Sequence, residues 1–103
     1  MPSGSATARI PALEFEWDPG KAAGNLRKHK VSFTEAATVF GDSLATAVPD
    51  PDHSGDERRF LIVGISKQHR LLIVSYADRG SRLRIISARE LTRSEKRAYE
   101  TTR

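Results

Sequence analysis

The residues best suited to chemistry in this 103-residue chain are arginines near its C-terminus. Between positions 79 and 97, six arginines and one lysine stand against two glutamates. A strand turns successive side chains to opposite faces, so Leu83 and Ile85 share one face and Arg82 and Arg84 share the other. The apolar pair can enter a core, whereas the arginines need a wet surface or a neutralising partner. The pattern predicts a sheet face that presents fixed cations to an anionic partner.

Further arginines and one tyrosine are expected to converge on this face from the strand end, the next helix and a neighbouring strand. Arginine carries a permanent charge on a planar fork that suits phosphate, and a tyrosine can stack on a base or carry a proton. For any single arginine, a solvated side chain paired with a glutamate is the favoured alternative. The candidate members are Arg82, Arg84, Arg89, Arg97 and Tyr99, with Arg58 or Arg59.

Such a face can cleave RNA without a metal ion or a cofactor. The 2′-hydroxyl of RNA attacks the adjacent phosphate, and positioned cations stabilise the charge that develops in the transition state. Proton transfer is the weak point, because arginine is a poor general base at neutral pH. The candidates for proton transfer or substrate contact are His53, Glu57, Lys21 and Tyr99, and the sequence leaves the choice among them open.

Other chemistries have weaker signals. Asp50, Asp52, Ser54 and Gly55 imitate the start of a calcium loop, but its twelfth position is Leu61 instead of glutamate. A transition-metal site at His53 would need ligands from one short loop, so a solvated turn is favoured and no metal is expected. The chain has no Gly-x-Ser-x-Gly elbow and no glycine-rich phosphate loop, which argues against hydrolase triads and nucleotide-dependent enzymes.

The composition predicts one small domain with an anionic partner. The formal charge is +4, and the basic and acidic residues are segregated along the chain. Cysteine is absent, which fits a reducing cytosol. No apolar run is long enough to span a bilayer and no signal-peptide pattern is present, so a cytoplasmic protein without a membrane partner is expected.

The periodicity predicts an α+β fold in which helices pack on a largely antiparallel sheet. Residues 1–12 are expected to form a flexible tail, and residues 13–103 a single domain. A short strand at 13–17 precedes two helices, which are capped by Asp18 and Ser32. Four strands follow at about 44–48, 59–66, 70–77 and 82–88, with both faces of the middle two covered. A final helix begins with the capping-box pair Thr92 and Glu95.

Several runs of the chain resemble the BrnT family, toxins of bacterial type II toxin–antitoxin systems. The resemblance covers roughly residues 15–99. The runs that carry it are Phe15-Glu16-Trp17-Asp18-Pro19 with Lys21, Asn25-Leu26-Arg27-Lys28-His29, Val31-Ser32-Phe33 with Glu35-Ala36 and Val39-Phe40, Asp52-His53 with Glu57-Arg58 and Gly64, and Arg84-Ile85-Ile86-Ser87-Ala88-Arg89 followed by Glu95 and Tyr99. The chain departs from the family pattern at Lys30, where glycine is expected.

This resemblance implies a RelE-like fold and an endoribonuclease that halts translation. The implied partner is a BrnA-like ribbon–helix–helix antitoxin in a hetero-oligomer, with operator DNA bound only through that antitoxin. In this hypothesis Arg58, Arg84 and Arg89 hold phosphates and stabilise the transition state. His53, Glu57 and Tyr99 are the other catalytic candidates, and Lys21, Arg82 and Arg97 contact RNA. The alternative hypothesis is a non-catalytic basic binding module, or a decayed toxin that acts as antitoxin partner and co-repressor.

Overall fold

The computed structural model describes residues 9–10, 13–52 and 57–101, with backbone alone at 9–10. Within this part of the chain no helix is long and apolar enough to cross a bilayer. The elements confirm the predicted α+β class. In chain order they are β1 (Arg9–Ile10), β2 (Leu13–Glu16), α1 (Pro19–His29), α2 (Phe33–Thr38), β3 (Thr46–Pro49), β4 (Arg59–Ile65), β5 (Leu71–Asp78), β6 (Leu83–Glu90) and α3 (Arg93–Thr101).

The strands form one mixed sheet in the order β1-β2-β6-β5-β4-β3. Strands β3 to β6 follow one another as antiparallel neighbours, so the predicted four-strand meander is confirmed. Strand β2 pairs parallel to β6, which the sequence did not indicate. Strand β1 pairs antiparallel with β2, so the predicted tail at residues 1–12 includes a short paired segment. Pro49, expected to end β3, is its last residue, as an edge strand allows.

The helix boundaries follow the predicted caps. Asp18 accepts the N–H of Lys21 at 2.9 Å, and Ser32 accepts the N–H of Glu35 at 3.0 Å. Helix α1 ends at Lys30, which adopts the left-handed conformation (φ 61°) that favours glycine. Helix α2 ends at Thr38, and a 3₁₀ turn carries the chain on to Gly41.

One face of the sheet packs against the helices and forms the core. Phe15, Val74 and Ile85 on this face are fully buried, together with Phe33 from α2. The other face carries Arg59, Arg84 and Arg89, and we call it the arginine face. Its apolar side chains are half-buried in the middle strands, and Ile65 is 42% exposed. The prediction that both faces of these strands are covered is therefore wrong for the arginine face.

A β-bulge in β6 decides which side chains lie on the arginine face. Ile85 pairs with Tyr76 and Ser87 pairs with Ser75, which leaves Ile86 as an extra residue without a partner on β5. A bulge shifts the alternation of side chains by one position. Before the bulge even-numbered residues face outward, and after it odd-numbered residues do. Arg84 and Arg89 consequently share a face, although five positions separate them.

The side chain of Asn25 binds backbone groups of β6 along the edge that β2 leaves uncovered. Strand β2 covers this edge only at Leu83 and Arg84. Farther along, the Asn25 amide donates to the carbonyl of Ala88 at 2.8 Å and accepts the Ala88 N–H at 3.1 Å. The same amide donates to the carbonyl of Val31 at 2.9 Å. Asn25 is 7% exposed, so it replaces a strand neighbour and fixes α1 beside the residue that precedes Arg89.

A second buried polar cluster fixes the far end of the same strand. Glu35, only 3% exposed, accepts two hydrogen bonds from the guanidinium of Arg70 and one from the Ser66 hydroxyl. Arg70 also donates to the Lys30 carbonyl at 2.9 Å and to the Glu90 carboxylate at 3.1 Å. Helix α2, the β4–β5 hairpin and the end of β6 are thereby connected.

We expect Asn25→Ala to lower the free energy of unfolding by about 2–4 kcal/mol, because it leaves backbone groups of Ala88 and Val31 without partners. Asn25→Asp should cost at least as much, since a carboxylate oxygen would face two carbonyls. Urea denaturation measures both. Leu26→Ala, at a side chain 50% exposed, is the control and should change stability much less. An equal effect of the control would show that the amide has no special role.

We expect Glu35→Gln to lower the free energy of unfolding by about 2 kcal/mol at pH 7. The hydrogen bonds from Arg70 hold the pKa of Glu35 below its usual 4.5 in the folded chain. The stabilisation is therefore complete above pH 4.5 and is lost as the pH falls through the folded-state pKa. The difference between wild type and variant should shrink at pH 3. Glu100→Gln, at an exposed helix position, is the control, and a difference that stays constant with pH would contradict this assignment.

Candidate nucleic-acid site

The arginine face is organised in rows that run across neighbouring strands. Three such rows follow one another. The first contains Arg84, the second contains two serines and a leucine, and the third contains Arg89. Since each row is two residues from the next, the two arginines are ~13 Å apart along β6. The rows are Arg84, Ala77 and Arg59; Ser87, Ser75 and Leu61; and Arg89, Ile73 and Val63.

A cleft of about 370 Å³ lies over the middle row and reaches Arg89. Its floor is the sheet, and its two sides come from the end of α1 and from the turn after β3. The lining residues are His29, Asp50, Asp52, Leu61, Ile73, Ser75, Ser87, Ala88 and Arg89. The cleft therefore combines a cation, hydroxyls, carboxylates and one imidazole above a partly apolar floor.

Arg89 is held in a fixed orientation by the first turn of α3. Its guanidinium donates to both carboxylate oxygens of Glu95, at 2.8 and 3.0 Å, and to the Glu90 carbonyl at 3.2 Å. Glu95 also accepts the N–H of Thr92 at 2.8 Å, which completes the predicted capping box. The bonds from Arg89, followed by the one from Thr92, lower the pKa of Glu95 to about 2. Glu95 therefore remains an anion and holds the guanidinium in place.

Arg84 and Arg82 share one face, as predicted, and both bind carboxylates of β2. Arg84 donates to Glu16 at 3.1 Å. Arg82 lies 3.6 Å from Glu16 and 3.4 Å from Glu14. The parallel pairing of β2 with β6 brings these oppositely charged side chains together. The arginines of β6 are thus ion-paired within the chain instead of being free cations.

Arg58 and Glu57 lie at the start of β4. Arg58 packs over the Phe60 ring, 5.8 Å from its centroid, and ion-pairs with Asp78. Because Phe60 belongs to the core side, Arg58 is not brought onto the arginine face, whereas Arg59 is. Glu57 accepts a hydrogen bond from Arg59 at 3.0 Å, and this bond is the main reason that the pKa of Glu57 is lowered. A lowered pKa makes Glu57 a weaker base.

The remaining predicted residues lie at other places. Lys21 is exposed in the first turn of α1. Arg97 is exposed on α3, and the Tyr99 hydroxyl donates to the Leu44 carbonyl at 3.3 Å. None of these three lines the cleft. His53 falls outside the described residues.

Sequence reasoning did not select three members of the cleft, His29, Ser75 and Ser87. Ser75 interrupts the apolar run of β5, and the register places Ser87 of β6 directly opposite it. A polar residue within an apolar run was the available signal for Ser75. For His29 the signal was its spacing of four from Asn25, which puts the two side chains on one side of α1.

Cations without an ion pair lie mainly on α1, whose end forms one side of the cleft, and on α3, whose first turn binds Arg89. Within the described residues, these side chains form no salt bridge, in contrast to the arginines of β6. They are Lys21, Arg27, Lys28 and Lys30 on α1 and its cap, and Arg93, Lys96 and Arg97 on α3. Unpaired cations of this kind attract polyanions over a distance of about one Debye length.

Comparison with known proteins gives a match to a family model. A family model described as "Ribonuclease toxin, BrnT, of type II toxin-antitoxin system" matches residues 17–95. No curated protein matches the chain. The matched segment runs from the end of β2 to the first turn of α3, so it contains the cleft and both arginines of β6 discussed above. It covers well over half of the 103 residues, and the chain therefore belongs to the BrnT family of ribonuclease toxins of type II toxin–antitoxin systems.

Proposed function

We propose that this chain is a metal-independent endoribonuclease that binds RNA along the arginine face, cleaves it by attack of the 2′-hydroxyl, and thereby inhibits translation. The observation that carries the proposal is the placement of Arg84 and Arg89 on one face, on either side of the serine row. The backbone positions of the two arginines are ~13 Å apart along β6, so an extended RNA strand that follows β6 can present a separate phosphate to each of them.

The ion pairs of these arginines favour exchange for RNA phosphate. The Arg89 and Glu95 side chains are 38% and 39% exposed, so their pair contributes at most about 1 kcal/mol. A phosphate can replace one carboxylate oxygen while the other continues to orient the guanidinium. The unpaired cations of α1 and α3 attract the strand, and the preorganised guanidiniums then bind it.

The proposed reaction balances without a co-reactant. The 2′-oxygen loses its proton to a base and forms a bond to phosphorus. The bond from phosphorus to the 5′-oxygen breaks, and that oxygen takes a proton. The products are a 2′,3′-cyclic phosphate and a 5′-hydroxyl. Guanidiniums stabilise the pentacoordinate phosphorane, which carries more negative charge than the starting diester.

We expect Arg89→Ala and Arg84→Ala each to slow RNA cleavage about 100-fold or more, because each removes a cation from the charge that develops. Cleavage is measured on a labelled RNA in the presence of EDTA, and the product ends are mapped. Arg→Lys at either position keeps the charge but loses the planar fork, so it should recover only part of the rate.

Lys67→Ala is the matched control, because it removes an exposed cation from the β4–β5 turn, away from the cleft. It should cleave as wild type does. Wild-type activity that requires a divalent metal would contradict metal independence. Unchanged cleavage in both arginine variants would eliminate the arginine-face mechanism. Salt-sensitive RNA binding without any cleavage would favour the non-catalytic binding module.

As a toxin of a type II system the chain has an antitoxin partner. We propose that this partner is a BrnA-like ribbon–helix–helix protein encoded next to it, that operator DNA is bound only through it, and that both act in the cytoplasm. We also propose that the fold is RelE-like. An antitoxin that covers the arginine face or blocks entry to the cleft would prevent RNA from reaching it.

We expect induced expression of this chain to arrest growth and to lower the incorporation of labelled amino acids, and co-expression of the adjacent gene to reverse both effects. Arg89→Ala should not arrest growth but should still co-purify with the antitoxin, since its fold is intact. Arrest by wild type that the adjacent gene leaves unchanged would contradict the proposed partner.

A further inference from the structure

We propose that His29 is a catalytic residue of this site and takes the proton from the attacking 2′-hydroxyl. This inference rests on the proposed function and adds to it the group that sequence reasoning could not identify. His29 is the last residue of α1, is half-buried, and lines the cleft together with Ser87 and Arg89.

Three of the other candidates for proton transfer are less well placed, and the fourth, His53, lies outside the described residues. Glu57 is bound to Arg59 and Arg79, its pKa is lowered, and it does not line the cleft. Tyr99 donates its hydroxyl to Leu44 outside the cleft. Lys21 is eight residues before His29 on the same helix, which is about 12 Å away along its axis. None of these three side chains lines the cleft with Arg89.

Within the lining, an imidazole is the chemically best suited base. Among the residues that line the cleft, Arg89 is the cation, and Asp50 and Asp52 are the titratable groups besides His29. Imidazole is the side chain that most often serves as a general base in enzymes, whereas a carboxylate is the weaker base of the two.

The position of His29 is fixed by polar bonds on both sides along the chain. One helical turn earlier, Asn25 binds both backbone groups of Ala88, the residue next to Arg89. One residue later, Lys30 caps the helix through its N–H to the Leu26 carbonyl, and its own carbonyl accepts from Arg70. The end of α1 is thus fixed to β6 beside the arginine, as a catalytic base requires.

In the proposed step the neutral imidazole of His29 accepts the proton of the 2′-hydroxyl as the bond from 2′-oxygen to phosphorus forms. Arg89 stabilises the phosphorane. The 5′-oxygen leaves and is protonated by water, and the imidazolium returns its proton to the hydroxide that results. No net proton, electron or cofactor is consumed, and the free imidazole is regenerated.

The test is cleavage of a labelled RNA in EDTA by His29→Asn, with His69→Asn as the matched control. His69 is an exposed histidine in the β4–β5 turn, with φ 65°, a conformation that asparagine accepts. We expect His29→Asn to lower kcat about 100-fold or more, with RNA affinity within about threefold of wild type, and the control to behave as wild type does.

A second variant separates catalysis from structure. We expect added imidazole to restore part of the activity of His29→Ala in a concentration-dependent way, and to leave Arg89→Ala unchanged. A merely structural histidine would not respond to imidazole. If His29→Asn proves unstable by thermal denaturation, His29→Gln and the imidazole response of His29→Ala decide the matter.

The outcomes distinguish this inference from the proposed function. Wild-type protein that does not cleave RNA, or arginine variants that cleave normally, would overturn the proposed function and this inference with it. Loss of activity in Arg84→Ala and Arg89→Ala with normal cleavage by His29→Asn would overturn only the role of His29. Reduced activity of His29→Ala without any response to imidazole would also count against it.

Discussion

One side-chain amide holds the site of this protein together. Strand β6 carries both key arginines, but over its second half it has no neighbouring strand on one side, and Asn25 binds the backbone there. Because the same amide binds the carbonyl of Val31, it also fixes the connection between α1 and α2. The cleft depends on this contact, since α1 supplies one of its sides and β6 supplies part of its floor.

Local signals in the sequence were sufficient for much of the fold. The caps at Asp18, Ser32 and Thr92 act within three residues, so their partners could be identified from the spacing. Long-range partners could not. Glu35 has the capping-box spacing from Ser32, but its carboxylate binds Arg70, which is 35 residues away. Nothing in the local sequence indicates which distant charge a buried carboxylate meets.

The same limit applies to the site. Arginine-rich segments predicted an anionic partner, and Arg84 and Arg89 do lie on one face. An ion pair with a glutamate was the favoured alternative for any single arginine, and Arg89 does pair with Glu95. The sequence does not indicate that Glu16 binds Arg84, because β2 joins β6 through a parallel pairing that crosses most of the chain. In the function that we propose, RNA binding is consequently an exchange of anions between partners, in which the protein's own carboxylates keep the guanidiniums oriented before the substrate arrives.

The bulge at Ile86 has a consequence for the length of this strand. With regular alternation, residues five apart face opposite ways, and Arg89 would point into the core beside Ile85 while Ala88 faced the cleft. Loss of one residue between positions 84 and 89 would remove the bulge and keep both arginines outward by ordinary alternation. Their separation would stay nearly the same, because the five-residue step from Arg84 to Arg89 already pairs with the four-residue step from Ala77 to Ile73 on β5. The bulge thus lets β6 carry one more residue than its neighbour between the two cations without changing the distance that separates them.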